Sequence, residues 1–213
     1  MDFLTLRQEY RSQQLDESCV NDNPITQFKQ WLRQAVDAGI TEANAMALAT
    51  ASAAAQPSVR MVLLKGCDEN GFVFFTNYTS NKGRQLEENP HAEAVFYWRE
   101  LERQVRIHGR VTRVSAAESD EYFTSRPLGA RIGASVSPQS QPLASRQSLE
   151  ERFLAVEVQY PAGDVPRPEH WGGYRIEPLK IEFWQGRPSR LHDRIQFVRE
   201  AGNGVWRKQR LAP

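Results

Sequence analysis

Two hydrophobic periods divide the 213-residue chain. Near the start, Ile25, Phe28, Trp31, Leu32, Ala35 and Val36 recur at spacings of three and four, which places them on one face of a helix. Asn23 suits its N-cap, Pro24 its first turn and Gly39 the position just past its end. From residue 45 the period drops to two. Runs at 45–52, 57–66, 72–76, 92–98 and 103–114 read as strands, separated by turn-like segments at 53–57 and 68–71. In the run 103–114, Val105, Ile107 and Val111 share one face. Gln104, Arg106, His108 and Arg110 share the other.

Short helices interrupt these strands. One opens at Ser80 and stops before Pro90. A second covers 116–126, with Ser115 and Glu118 spaced as a capping box, and Pro127 ends it. The segment 135–146 reads as a loop, and 148–161 as a further helix. The last third returns to strands at 172–178, 180–186, 193–200 and 205–210, with a hairpin turn at 201–204. About eight strands that do not alternate with helices argue against a doubly wound α/β fold. They predict a mainly β, antiparallel barrel or sandwich with flanking helices. Residues 1–22 form a polar leading segment, read as a short helix and a mobile linker. Residues 23–213 form one domain.

Composition narrows the function classes. A net charge of +1 gives no global field for nucleic acid or a membrane surface. No apolar run approaches the roughly 20 residues that span a bilayer. Cys19 and Cys67 make neither a metal spacing nor a redox pair, so a cytoplasmic protein is expected. The basic residues are mostly arginine: only five of 27 are lysine. Arginine offers the fork that suits phosphate and carboxylate.

Four stretches carry candidate chemistry. In Ile-Glu-Phe-Trp-Gln-Gly-Arg-Pro-Ser-Arg-Leu-His-Asp-Arg (181–194), a strand over 190–198 would point Arg190, His192 and Arg194 one way, neighbours about 6.8 Å apart. Such a row is either a solvated face or an oriented ligand site, with Trp184 as a flat wall. Arg60 and Lys65 bracket an apolar strand. Ser80, Asn81 and Lys82 open a helix whose N–H groups favour an anion. Tyr122 and Arg126 share a helix face, a pairing suited to phosphate. The four histidines are too scattered for a metal motif, and no Ser-His-Asp arrangement is evident. Phosphate recognition without a nucleophile or metal suits an enzyme whose chemistry rests on a bound cofactor.

The 181–194 stretch closely resembles the signature of the pyridoxamine 5′-phosphate oxidase family. RMVLLK (60–65), FTNYTSNKGRQLEENP (75–90), LERQV (101–105), YFTSRP (122–127), IGASVSPQS (132–140), WGGYRIEP (171–178) and the terminal RLAP resemble that family in the same order. The resemblance implies a Greek-key split β-barrel that binds FMN in a homodimer, with each site at the subunit interface. It implies oxidation of pyridoxine or pyridoxamine 5′-phosphate by O2 to pyridoxal 5′-phosphate, yielding H2O2 and, from the amine, ammonia. Carried onto this sequence, Arg60, Met61, Val62, Leu63, Leu64 and Lys65 would line the FMN. Phe75, Thr76, Asn81, Lys82, Gln104, Gln139, Ser140, Trp184 and Arg194 would complete its site. Lys65, Tyr122 and Arg126 would hold the substrate phosphate. Arg190, Leu191 and His192 would lie against the substrate ring, with Arg190 and His192 in the catalytic roles. Arg7 and Tyr10 resemble a segment that closes over the site. Asn81, Phe75 and Ala130 depart from the family pattern, which commonly has Arg, Tyr and Ser there. Arg84 and Arg131 lie near enough in sequence to compensate. Arg187 has no carried-over role and reads as a solvated turn residue. A non-catalytic flavin or pyridoxal phosphate binding protein of the same fold is the alternative.

Overall fold

The computed structural model describes residues 9–10, 14–201 and 204–213. Helix α1 (Pro24–Asp37) forms where the spacing predicts it, and the Asn23 side chain accepts from the N–H groups of Ile25 and Thr26. Ile25, Phe28, Trp31 and Ala35 are buried. Val36, expected in the same stripe, is 53% exposed. It sits about 100° around the helix from Ala35, past the edge of the core contact. Gly39 takes φ +74°, the left-handed conformation that ends a helix.

Among the described residues, nine strands build one antiparallel sheet: β1 (Ala45–Ala51), β2 (Pro57–Leu63), β3 (Gly66–Asp68), β4 (Gly71–Asn77), β5 (His91–Trp98), β6 (Arg103–Arg113), β7 (Trp171–Gln185), β8 (Asp193–Arg199) and β9 (Trp206–Arg210). The order is β2-β1-β5-β6-β7-β4-β3, with β8 joined to β7 and β9 to β8. β2 curls back against β4, which turns the sheet into a half-barrel. Strand β7 is its pivot. Its first half pairs with β4, its second half with β8, and β6 runs along its other edge. The enclosed core holds Phe28, Met46, Leu48, Phe72, Phe74, Phe96, Trp98, Ile107, Phe183 and Phe197.

Two strands were expected where β7 is continuous. Pro178 lacks a ladder N–H, yet β7 passes through it because the pairing with β6 shifts register between His108 and Gly109. Gly109 makes the approach possible, since a Cβ there would lie 2.2 Å from the Glu177 carbonyl oxygen. Helices α2 (Asn81–Glu88) and α3 (Ala116–Ser125) carry the predicted Ser80 cap and Ser115–Glu118 capping box. Helix α4 (Leu128–Val136) was not expected: Gly129 and Gly133 weaken its intrinsic propensity. Full burial of Ile132 and packing on α5 (Arg146–Gln159) outweigh that weakness. Residues 14–22 form turns rather than a helix, and they pack down. Leu15 and Val20 are buried, and Arg210 and Lys208 bond Glu17 and Asp22. The expected lid falls mainly on residues 1–8 and 11–13, outside the described residues, and Arg7 with it.

Candidate active site

A cavity of about 430 Å³ opens where β2, β4, α2 and the α3–α4 junction converge. Met61, Val62 and Leu63 of β2 line it with Lys65 just beyond. Phe75 and Thr76 come from β4, Lys82 from α2, and Tyr122, Arg126 and Pro127 from the end of α3. Gln139 and Trp171 complete the wall. The structure thus joins residues up to 78 positions apart, Met61 to Gln139, that the sequence singled out separately. Pro127 and Trp171 were not anticipated as lining. The sequence signal for Trp171 is the pair of glycines after it. A Cβ at Gly173 would lie 2.7 Å from the Phe75 ring and 2.6 Å from Val114, so that glycine admits Phe75.

The cavity has one flat wall. Phe75 stacks on Tyr122 at 4.0 Å and on Trp171 at 5.6 Å, with ring planes within 23° and 13°. Stacking is the visible task of Phe75.

The cations meet neutral partners. Lys82 is 8% exposed. Its Nζ donates to Gln139 Oε1 (2.8 Å), Thr76 Oγ1 (3.1 Å) and Ser80 Oγ (3.4 Å). Burial, and then the charge of Arg60, pull its pKa from 10.5 down to about 8. Arg60 does not line the cavity; it stands behind, donating to Thr50 Oγ1 at 2.5 Å and Leu48 O at 3.2 Å. The Arg126 guanidinium lies 4.7 Å over Trp171, and its buried Nη1 has no hydrogen-bond partner among the described residues. Lys65 Nζ lies 6.0 Å from the Tyr122 ring centre. An unsatisfied buried donor costs about 1–3 kcal/mol, so an arriving anion recovers that penalty. The site can therefore hold anionic oxygens at two places, near Lys82 and near Arg126, beside a planar surface.

Other expected lining residues sit elsewhere. Leu64 is 6% exposed and belongs to the core. Asn81 is exposed and bonded by the Arg84 guanidinium. Ser140 is exposed at φ +70°. Ala130 lines a neighbouring pocket of about 320 Å³, which shares Arg126, Gln139 and Trp171 with the main cavity.

A second group gathers at the far end of β7. Trp184 stands between Gln104 on β6 and Arg194 on β8. His192 lies 4.7 Å from Trp184, and the Tyr10 ring sits edge-on to both at 5.6 and 5.5 Å. The strand begins at Asp193, as its reading over 193–200 has it, so the one-sided row that a strand over 190–198 would make does not form. Arg190 instead ends a tight 3₁₀ turn with φ +62°, following Ser189 at +56°, and Leu191 is 70% exposed. Arg190 and His192 are thus aimed by a turn, not by strand alternation. Arg194 is not a free member of a cationic row. It makes a two-pronged pair with Glu182 at 2.9 and 3.0 Å and bonds Ala212 O at 2.8 Å. Arg187 is more than a solvated turn residue: its backbone N–H donates to His192 Nδ1 at 3.1 Å. Burial, and then the Arg190 charge, hold His192 below the usual imidazole pKa.

Trp171 and Trp184 lie thirteen residues apart on one strand, on the order of 40 Å at about 3.3 Å per residue. One chain therefore presents the cavity and the Trp184–His192 group at opposite ends. Among the described residues no cluster of three His, Cys, Asp or Glu could hold a metal ion. No helix among them is long and apolar enough to cross a membrane.

Residues 32–160 match the pyridoxamine 5′-phosphate oxidase family, and residues 171–213 match the pyridoxine 5′-phosphate oxidase C-terminal dimerisation region. The pyridoxine/pyridoxamine 5′-phosphate oxidase of Paraburkholderia phytofirmans is 56% identical over 209 residues, covering 98% of this chain and 97% of that protein. The protein of the same name from Thermosynechococcus vestitus is 57% identical over 208 residues, again covering 98% and 97%. Among solved structures, PhzG from Burkholderia lata 383, in complex with tetrahydrophenazine-1-carboxylic acid, aligns with a TM-score of 0.88 at 33% identity, covering 95% of this chain and 99% of that one. A pyridoxamine 5′-phosphate oxidase-related, FMN-binding protein from Nostoc punctiforme PCC 73102 aligns at 0.72 and 18% identity over 87% and 97%, a likeness of fold. The half-barrel is accordingly the split barrel of these proteins. With both halves of the chain matched and full-length relatives above 50% identity, the chain belongs to the pyridoxine/pyridoxamine 5′-phosphate oxidase family.

Proposed function

We propose that the protein is an FMN-dependent oxidase of pyridoxine and pyridoxamine 5′-phosphates, forming pyridoxal 5′-phosphate, and that it works as a homodimer. One observation carries the reading: a flat-walled cavity whose buried cations have neutral or absent partners. Those residues fit a phosphate-bearing flavin. Lys82 and Thr76, with Arg60 behind them, would take its phosphate, and β2 would run along the ring system. Lys65, Tyr122 and Arg126 would take the substrate phosphate. When bound, FMN supplies a two-electron acceptor that O2 restores with release of H2O2; the amine substrate also yields ammonia.

The chain's own work is binding and orientation, which can contribute about 7–11 kcal/mol of barrier reduction. His192 Nδ1 accepts a backbone N–H, so the neutral ring carries its proton on Nε2 and presents a donor there. Arg190 adds a fixed cation beside it. These two would hold the substrate ring from a second copy of the chain, because their own cavity lies at the other end of β7. The edge strand β2 supports pairing, since Val59 and Met61 are 69% and 63% exposed on it. The matched C-terminal dimerisation region supports it independently.

The test is spectroscopic. Purified protein is expected to bind FMN and to lose its flavin absorbance anaerobically on adding pyridoxine 5′-phosphate. Flavin that binds but is never reduced would instead establish a binding protein.

A further inference from the structure

Asp193 follows His192 at the first position of β8, and its side chain is 18% exposed. Three segments far apart in sequence meet on it. Its Oδ2 accepts the Leu15 N–H at 3.1 Å and lies 3.6 Å from Arg187 Nε. Its Oδ1 accepts from Arg210 Nη1 of β9 at 2.8 Å. Arg210 in turn bonds both carboxylate oxygens of Glu17 and the Leu15 carbonyl. The carboxylate therefore ties together Leu15, the 186–192 turn and the C-terminal strand.

The turn needs such a tie. Ser189 and Arg190 are consecutive non-glycine residues at φ +56° and +62°. Backbone in that region persists only where its surroundings over-determine it. The two ends of the turn are held by the same pair of residues. Arg187 bonds His192 Nδ1 through its backbone and faces Asp193 through its side chain. The Tyr10 ring then closes the third side of His192, against Gly186, where a Cβ would lie 2.8 Å from it.

We infer that Asp193 is a positioning residue: a clasp that fixes His192 in one tautomer and aims Arg190. Its carboxylate is taken up by Leu15, Arg187 and Arg210, and it acts through them. The inference rests on the proposed function only for the consequence in turnover; the clasp itself is a property of the free chain.

Asp193→Asn keeps an oxygen acceptor for the Leu15 N–H but removes the charge that faces Arg187 and Arg210. Two readouts separate positioning from general stability. In flavin-free protein, ¹⁵N shifts of the His192 ring are expected to show a bare Nδ1 in the wild type and a mixture of tautomers in Asp193→Asn. His192→Gln assigns the signal among the four histidines. In the flavin-loaded enzyme, kcat/KM for pyridoxine 5′-phosphate is expected to fall at least tenfold with FMN affinity unchanged. Arg187→Ala should move both readouts the same way by less, and the double variant should be no worse than Asp193→Asn alone, as residues on one path require. An unchanged tautomer, a kcat/KM within threefold of wild type, or additive losses would overturn the clasp. If Asp193→Asn does not fold, Arg187→Ala carries the same test. If wild-type protein oxidises nothing, the functional reading fails and the tautomer readout still decides the clasp.

Discussion

At the scale of single residues, the site is defined by unmet electrostatic demand. Lys82 is buried among three neutral oxygens, and its pKa of about 8 reflects that. In the unfolded chain the same amine titrates near 10.5, so between pH 8 and 10.5 the unfolded state holds more protons. The lysine therefore destabilises the free protein fully below pH 8, and that cost fades as pH rises toward 10.5. Phosphate binding reverses the preference: a dianion beside Nζ raises its pKa and draws in a proton. FMN affinity is expected to decline as pH climbs through about 8, with net proton uptake measurable by calorimetry in buffers of different ionisation enthalpy. Lys82→Met should weaken binding and flatten that dependence. Arg126 gives the parallel test for substrate. Losing one charge-assisted hydrogen bond costs about 1.5–3 kcal/mol, so Arg126→Gln should lower kcat/KM for pyridoxine 5′-phosphate roughly 10- to 150-fold. Activity on unphosphorylated pyridoxine, expected to be low from the start, should not change. Equal losses on both substrates would remove Arg126 from the phosphate site.

At the scale of elements, what could be read from the chain was whatever its local chemistry specified. Asn23, Ser80 and Ser115 each cap the helix they foretold, and strand alternation in β6 placed Val105 inside and Arg106 outside. Helix α4 escaped because two glycines hide it locally, and only the seat for Ile132 reveals it. The 186–192 turn escaped because left-handed Ser189 and Arg190 carry no sequence signal for that backbone. Ten of the cavity's residues were legible from phosphate-suited motifs and family likeness; Trp171 was not, since its role depends on what Gly173 admits. That glycine is testable. Gly173→Ala would push a methyl into Val114 and Phe75, an overpacking cost of about 1–3 kcal/mol. For a chain of this size the melting temperature should drop by roughly 2–12 °C. FMN affinity should fall with it as the Phe75 stack shifts, which scanning calorimetry and flavin titration would record.

At the scale of the whole molecule, the half-barrel displays two incomplete surfaces. A two-fold dimer would complete both at once, each cavity meeting the other copy's Trp184–His192 group. Mixing two crippled variants tests this. Arg126→Gln damages only the cavity and Arg190→Ala only the distal group. In a mixed dimer one site collects both defects and the other collects none. Random re-association should restore about one quarter of wild-type activity from two nearly inactive parents. A site built within one chain would show no recovery. The length of β7 carries one more consequence, for kinetics. In the proposed dimer, a strand that keeps its two aromatic ends apart would make each folded protomer a reagent with half an active site. Catalysis then obeys mass action: on dilution below the dimer dissociation constant, activity per milligram should fall, and it should return on adding an Arg126→Gln protein that contributes only its far end.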